Sequence, residues 1–355
     1  MLFSVLDRYV SKHVLITILI VGTVLVMITA LITFVDQMRY IGRGDVDFTF
    51  LMAHIMMQVP SMIVMLFPVI VLLSGVIALG NLARSSELIV LQGLGLSKAG
   101  IIMIALKIVF PLILIVIAIG EFVVPPLEQY AENRLNQTSS RGQLSITHRG
   151  LWLREGNDFI SIRFTLSDGT IQDIARYEFQ GQELIAMSMA KRGRYNGRTW
   201  EMRDIVRYSF DERAITTSKY SKLNWPLALN PERIEVVGVK GMYLTFKGLM
   251  DYIGYLEENN QESDKYRLEL YGKIAMPFSM VVMMLLAAST VFGPLRTMSM
   301  GMRVVSGMAL GFLFYISSSI GSPFALVYGL PPSLGASLPT LVFFLLAMWL
   351  LNRRA

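Results

Sequence analysis

Cysteine is absent from the 355 residues. That excludes disulfides, thiolate metal sites and cysteine nucleophiles. Histidine is scarce too: His13, His54 and His148 stand far apart, none at metal-ligand spacing. Charged residues make up only 16% of the chain, against about a quarter in an ordinary soluble domain. Hydrophobic residues make up 54%, so the deficit of charge points to a membrane protein. No Gly-x-x-x-x-Gly-Lys-Ser/Thr phosphate loop is present; Gly93-Leu-Gly-Leu-Ser-Lys98 has the residue types but the wrong spacing. No Ser/His/Asp arrangement or catalytic carboxylate pair stands out. The expectation is a non-catalytic chain without a metal or cofactor, and the net charge of +6 is no argument for nucleic acid.

Six long apolar runs are present, roughly 14–35, 59–80, 101–124, 274–292, 303–320 and 334–351. Each is near the ~20 residues that cross the hydrocarbon of a bilayer. The first run follows Asp7, Arg8 and Lys12, is too long for a signal core and is read as a retained span. Residues 1–13 mix Leu2, Phe3, Val5, Leu6, Tyr9 and Val10 with those charges, a pattern suited to an amphipathic helix on the inner surface. Orientation follows Lys and Arg in the short loops. Arg8 and Lys12, Arg84 and Lys98, Arg296 and Arg303, and Arg353 and Arg354 all fall on one side, taken as cytoplasmic. Both termini are then inside, and the long polar region is outside.

That region does not read as helical. Leu151–Arg154, Asp158–Arg163 and Arg176–Phe179 read as short strands. Turn signals lie at Glu155–Asp158, Ser167–Gly169, Gln180–Gly181 and Asn196–Gly197, the last typical of a hairpin. The fold class expected is an α-helical membrane protein with six transmembrane helices (3 + 3) and an inserted all-β domain on the outer side, a sandwich, jelly roll or open β-fold. Its divisions are 1–128, with the first three spans and a short helix at 84–98; 129–268, the β-domain; and 269–355, the last three spans.

The 84–98 stretch lies between the second and third spans. Ser85 or Ser86 suits an N-cap, and Glu87 falls in the first turn, where a carboxylate complements the helix dipole. Leu88, Leu91 and Leu94 recur at helical spacing before Gly93 and Gly95 end the segment. Two readings stand: a loop resting its leucines on lipid, or a helix through which force from another protein enters. In the second, Glu87 is the charged contact and Leu88 and Leu91 fill a groove on the partner.

A transporter needs energy. A gradient-driven carrier needs ionisable groups deep in its spans; of the candidates, Lys107 is two turns into the third span with room to snorkel inward, and Glu121 is near that span's outer end, so neither makes a relay at the membrane centre. A nucleotide-hydrolysing partner is the better reading. Gly307-x-x-x-Gly311 permits close helix packing, within the chain or between subunits. Pro60, Pro68 and Pro111 are expected to kink their helices.

Several stretches together resemble the LptF/LptG family of lipopolysaccharide-export permeases, and its LptG branch more closely. They are Val5-Leu-Asp-Arg-Tyr9, Phe34-Val-Asp-Gln37, Arg84–Gly95, Ile119-Gly-Glu121, Gly150-Leu-Trp152, Phe292-Gly-Pro-Leu-Arg296, Met302-Arg-Val-Val305 and Tyr328-Gly-Leu-Pro-Pro332. The resemblance runs from end to end. It implies an inner-membrane subunit of a Gram-negative bacterium, paired with a second six-span permease and two copies of a cytoplasmic ATPase. It further implies a single-span β-domain protein, a periplasmic bridge of similar domains, and lipopolysaccharide as cargo. By resemblance, Glu87, with Arg84, Leu88 and Leu91, sits at the coupling-helix position that contacts the ATPase. The first and fifth spans are lateral gates, and the Phe312–Tyr315 stretch lines the lipid cavity. Basic residues of the family are replaced here by Thr33, Ser61 and Glu132. Arg39, which matches, and Arg43 and Arg134 nearby are then the phosphate-binding set, with Phe67, Phe312 and Tyr315 on the acyl chains. Competing readings are a lipoprotein-release-type subunit and a membrane-anchored scaffold whose β-domain binds a periplasmic partner.

Overall fold

The computed structural model describes residues 5–42, 45–139, 145–155, 157–165, 170–181, 183–197, 199–211, 214–225, 244–259, 261–292 and 299–352. Leu2, Phe3, Arg43, the Ser167–Gly169 turn, the loop after Phe292 that holds Arg296, and the terminal pair Arg353 and Arg354 lie outside them, as does the side chain of His148.

Six of the described helices are long and apolar enough to cross a membrane. Helix α1 spans Val5–Gln37 and α2 Phe48–Arg84; the short α3 spans Glu87–Gly93. Helix α4, Lys98–Ala118, passes through a π-helical turn at Ile119–Val123 into α5, Val124–Ser139. After the sheet come α6 Phe246–Glu258, α7 Asp264–Phe292, α8 Met300–Val327 and α9 Pro332–Asn352. Serine and threonine side chains start three of them. Ser97 accepts from Gly100 N at 3.0 Å, Thr245 from Gly248 N at 2.9 Å and Ser299 from Met302 N at 3.4 Å.

The expected inner-surface helix is not separate: α1 runs unbroken from Val5, since no proline interrupts the chain before Pro60. Pro60, Pro68 and Pro111 lie inside α2 and α4, which continue through them.

Two compact units are present: Met1–Gln37, Ile55–Leu127 and Asp264–Ala355 form one, and Met38–His54 with Glu128–Ser263 the other. The helical unit is built around α2 and α7. Along its most apolar stretch α2 is 67% buried, α7 61%, and α1 only 6%. Apolar residues surround α2, as expected of a helix enclosed by others. Gly75 brings it against α7: a Cβ there would lie 2.6 Å from Ala287 Cβ and 2.9 Å from Met284 Sδ. Gly307 and Gly311 of α8 serve the same end, facing Val76 and Leu72 of α2, so this small-residue pair packs within the chain.

In the other unit, six strands form one antiparallel meander: β1 Ser145–Glu155, β2 Asp158–Thr165, β3 Ile171–Gln180, β4 Glu183–Tyr195, β5 Trp200–Asp211 and β6 Ala214–Trp225. The inserted all-β domain is thus present, with its strands in chain order. The hairpin expected at Asn196–Gly197 joins β4 to β5. Asn196 N donates to Thr199 O at 3.1 Å, and Gly197 takes a φ of 94°. Burial skips a position between Ile171 and Ile174 and between Met202 and Ile205. Asp173 and Asp204, inside those gaps, adopt positive φ of 50° and 53° and change which face the strand presents.

Candidate functional site

Arg84 ends α2, and Ser86 turns the chain into α3 with a left-handed φ of 61°. Neither serine caps α3 through its side chain: Ser86 makes no such bond, and Ser85 Oγ turns back to Asn81 O at 3.1 Å. Glu87 instead finds a distant partner. The Tyr9 hydroxyl donates to its Oε2 at 2.6 Å. That bond, with help from Ser85 and His13, holds the Glu87 carboxyl below the usual carboxylate range, against a small opposing effect of burial.

The α3 leucines face inward. Leu88 and Leu91 are 5% and 4% exposed, within the core formed by α1, α2, α4 and α7. This corrects the expectation that they fill a groove on a partner. Spacing i, i+3 puts both on one face, but in an apolar protein that face meets the chain's own helices. The outward face carries Ile89 and Val90, 70% and 61% exposed, and is extended by Leu94 just beyond the helix. Arg84 is also exposed.

The N-terminal end of α1 is held by an ion pair. Lys107 Nζ lies 3.2 Å from Asp7 Oδ2, so Lys107 is paired rather than reaching for the membrane surface. At the other end of α4, Glu121 Oε2 accepts from Lys273 Nζ of α7 at 3.1 Å. Sequence reasoning missed Lys273, one residue before the fourth apolar run, and gave Tyr9 no role, although Tyr9 closes the Val5–Tyr9 motif.

The proposed lipid set divides between the two units. Arg39 is exposed in the 3₁₀ turn Met38–Tyr40, its guanidinium 5.3 Å from the Tyr40 ring centroid. Arg134 is exposed on α5, 5.9 Å from the Phe50 and 5.6 Å from the Tyr130 centroid. Such cation–π contacts hold a guanidinium against the face of a ring. Arg43 lies outside the described residues. Phe312 and Tyr315 lie on the exposed side of α8. Phe67 does not join them: it is 5% exposed inside the helical core, since α2 is enclosed by its neighbours. Ser61 donates to Gln58 O at 2.8 Å. No metal-binding group of His, Asp and Glu occurs among the described residues.

The model of the family "Lipopolysaccharide export system permease LptF/LptG" matches residues 8–353. The chain belongs to this family. Within the LptF/LptG family it is similar to LptG of Escherichia coli (strain K12), 36% identical over 357 residues and 99% of both chains. Its identity to LptG of Haemophilus influenzae (strain ATCC 51907 / DSM 11121 / KW20 / Rd) is 34% over 356 residues, again 99% of each. Both relatives are of the LptG type. An LptF/LptG-family permease is a transport subunit of a lipopolysaccharide export system, and six apolar helices make this one a multi-pass membrane protein.

Proposed function

We propose that this permease subunit extracts lipopolysaccharide from the outer leaflet of the inner membrane and passes it to a periplasmic bridge through its β-domain. A separate cytoplasmic ATPase drives it by docking on the outward face of α3. Arg84, Glu87, Ile89 and Val90 form that docking face. Both termini are cytoplasmic, and the β1–β6 sheet is periplasmic. A homologous six-span subunit completes the lipid cavity.

The observation that carries this reading is the unequal burial of the spans. Helix α1 is 6% buried along its apolar stretch and α8 17%, against 67% for α2. A chain that only anchored a β-domain would need no such divided set of helices. Helix α9, at 22%, is under-packed as well, and under-packed helices beside a packed core are what a lateral opening for lipid requires. Each acyl CH₂ costs about 0.8 kcal/mol in water, so a many-chained lipid needs an apolar enclosure at every stage. Phe312 and Tyr315 line that enclosure, and Arg39, Arg43 and Arg134 meet the phosphates.

The test is to pull the detergent-solubilised protein from its native membrane and identify proteins and lipids by mass spectrometry. The expected partners are an ATPase, a second six-span subunit, a single-span β-domain protein and lipopolysaccharide. Recovery of the chain with a periplasmic partner alone would favour the scaffold reading.

A further inference from the structure

We infer that the inner end of α1 is a mechanical joint, in which Tyr9 is a positioning residue that passes movement of α3 to α1. The inference rests on the reading that an ATPase docks on α3.

Three contacts define the joint. The Tyr9 hydroxyl donates to Glu87 Oε2 at 2.6 Å, across 78 residues of sequence. Two residues earlier, Asp7 Oδ2 pairs with Lys107 Nζ of α4 at 3.2 Å. One turn later, the His13 ring stands 4.5 Å from the Tyr9 ring, and its Nδ1 is 3.1 Å from Tyr9 O. The Tyr9 ring is therefore held between the carboxylate it bonds and the imidazole behind it. A bond to a charged acceptor is directional and stronger than a neutral one, so it transmits displacement instead of slipping.

Burial along α1 divides the helix into a held part and a free part. Val10, Val14 and Ile18, at i, i+4 and i+8, are buried, with Ser11 beside them. From Leu19 onward the large residues are mostly exposed: Ile20, Val24, Met27, Ile28, Leu31, Ile32 and Val35. A rigid helix held near Val14 is a lever. At 1.5 Å per residue, Tyr9 is about 8 Å from that pivot and Val35 about 31 Å beyond it, so a shift at Tyr9 is enlarged about fourfold at Val35.

Helix α3 is built to move as a small body. It begins at a residue with positive φ, Ser86, and is followed by another, Gly95, at 93°. It lacks a side-chain cap and is seated by Leu88 and Leu91. A partner that tilts α3 on that seat displaces Glu87, and Glu87 displaces Tyr9. The Val5–Tyr9 motif thereby gains a role that neither docking nor lipid contact supplies.

The experiment uses the full complex in proteoliposomes containing lipopolysaccharide. Since the chain has no cysteine, a Met27→Cys variant accepts a single bimane label before assembly. Tyr9→Phe removes one hydroxyl from a half-exposed ring and keeps the fold. ATP hydrolysed per lipid released is expected to rise about tenfold, the low end of the scale of one charge-assisted hydrogen bond. The bimane signal is expected to lose its response to nucleotide, with the ATPase still co-purifying. The Tyr9→Phe/Glu87→Gln double variant is expected to match the more affected single. A purely structural role would lower hydrolysis and release together and leave their ratio unchanged, which would overturn the joint, as would an unaltered bimane response. Absence of an ATPase from the unmodified complex would instead overturn the docking reading beneath it.

Discussion

Lys273 Nζ lies 3.1 Å from Glu121 Oε2 and ties α7 to the π-helical turn that ends α4. Both side chains are about three-quarters buried, within segments otherwise dominated by apolar residues. A π turn widens the helix by a residue and re-aims its side chains, and such turns concentrate at working sites. Removing one member of a buried pair costs about 3–5 kcal/mol. With part of each group reaching solvent, Glu121→Gln or Lys273→Met should each cost about 1–3 kcal/mol, and the double variant less than the sum. Thermal unfolding in detergent measures this, and strictly additive losses would show that the two charges act separately.

The outward and inward faces of α3 should respond differently. Ile89→Asp and Val90→Asp should leave the fold intact but lower the ATPase recovered per chain about tenfold, the effect of losing a well-packed interface residue. Leu91→Ala should instead cost about 2–4 kcal/mol of stability, as a truncation in a packed core. Pull-down ratios set beside melting temperatures separate the two. Equal loss of partner and stability in all three variants would place the docking face elsewhere.

That contrast marks how far the sequence could be read. The six spans followed from the apolar runs because a bilayer demands about 20 such residues. The hairpin at Asn196–Gly197 followed from residues that tolerate positive φ. What Leu88, Leu91 and Phe67 touch did not follow. In a soluble helix, apolar means inward; in a membrane protein the core, the lipid and a partner subunit all take leucine and phenylalanine, so periodicity names a face but not what covers it. Tyr9–Glu87 and Lys273–Glu121 span 78 and 152 residues, separations at which no local pattern speaks.

Helix α8 carries the same distinction between residues two positions apart. Phe314 is buried edge-on against Phe343 of α9, their centroids 5.3 Å apart, while Phe312 is 63% exposed. Phe314→Ala should cost about 3 kcal/mol and Phe312→Ala less than ~0.5 kcal/mol. Lipid loading should show the reverse order of sensitivity. Denaturation paired with a lipid co-purification assay checks both; a large stability loss from Phe312→Ala would place that ring in the core.

In the β-domain, Glu201 accepts from Arg203 at 2.9 Å and lies 2.7 Å from Lys222 of β6. Lys222 first and Arg203 second hold its carboxyl below the usual range. A group with a depressed folded pKa contributes stability above its unfolded pKa and loses it as pH falls through the folded one. Hydrogen exchange of β5–β6 amides should therefore accelerate as pH drops below the ordinary glutamate range, after correction for intrinsic rates. Glu201→Gln should flatten that response, and an unchanged pH profile in the variant would assign the effect to other groups.

The central claim, that an apolar opening on α8 receives lipid and is emptied by ATP, is tested most directly by a photocrosslinking amino acid at position 312 of the reconstituted complex. The account predicts a crosslink to lipopolysaccharide without nucleotide, weaker when Arg39→Glu is added, and lost on ATP hydrolysis. No crosslink, or one that ATP leaves unchanged, would contradict it.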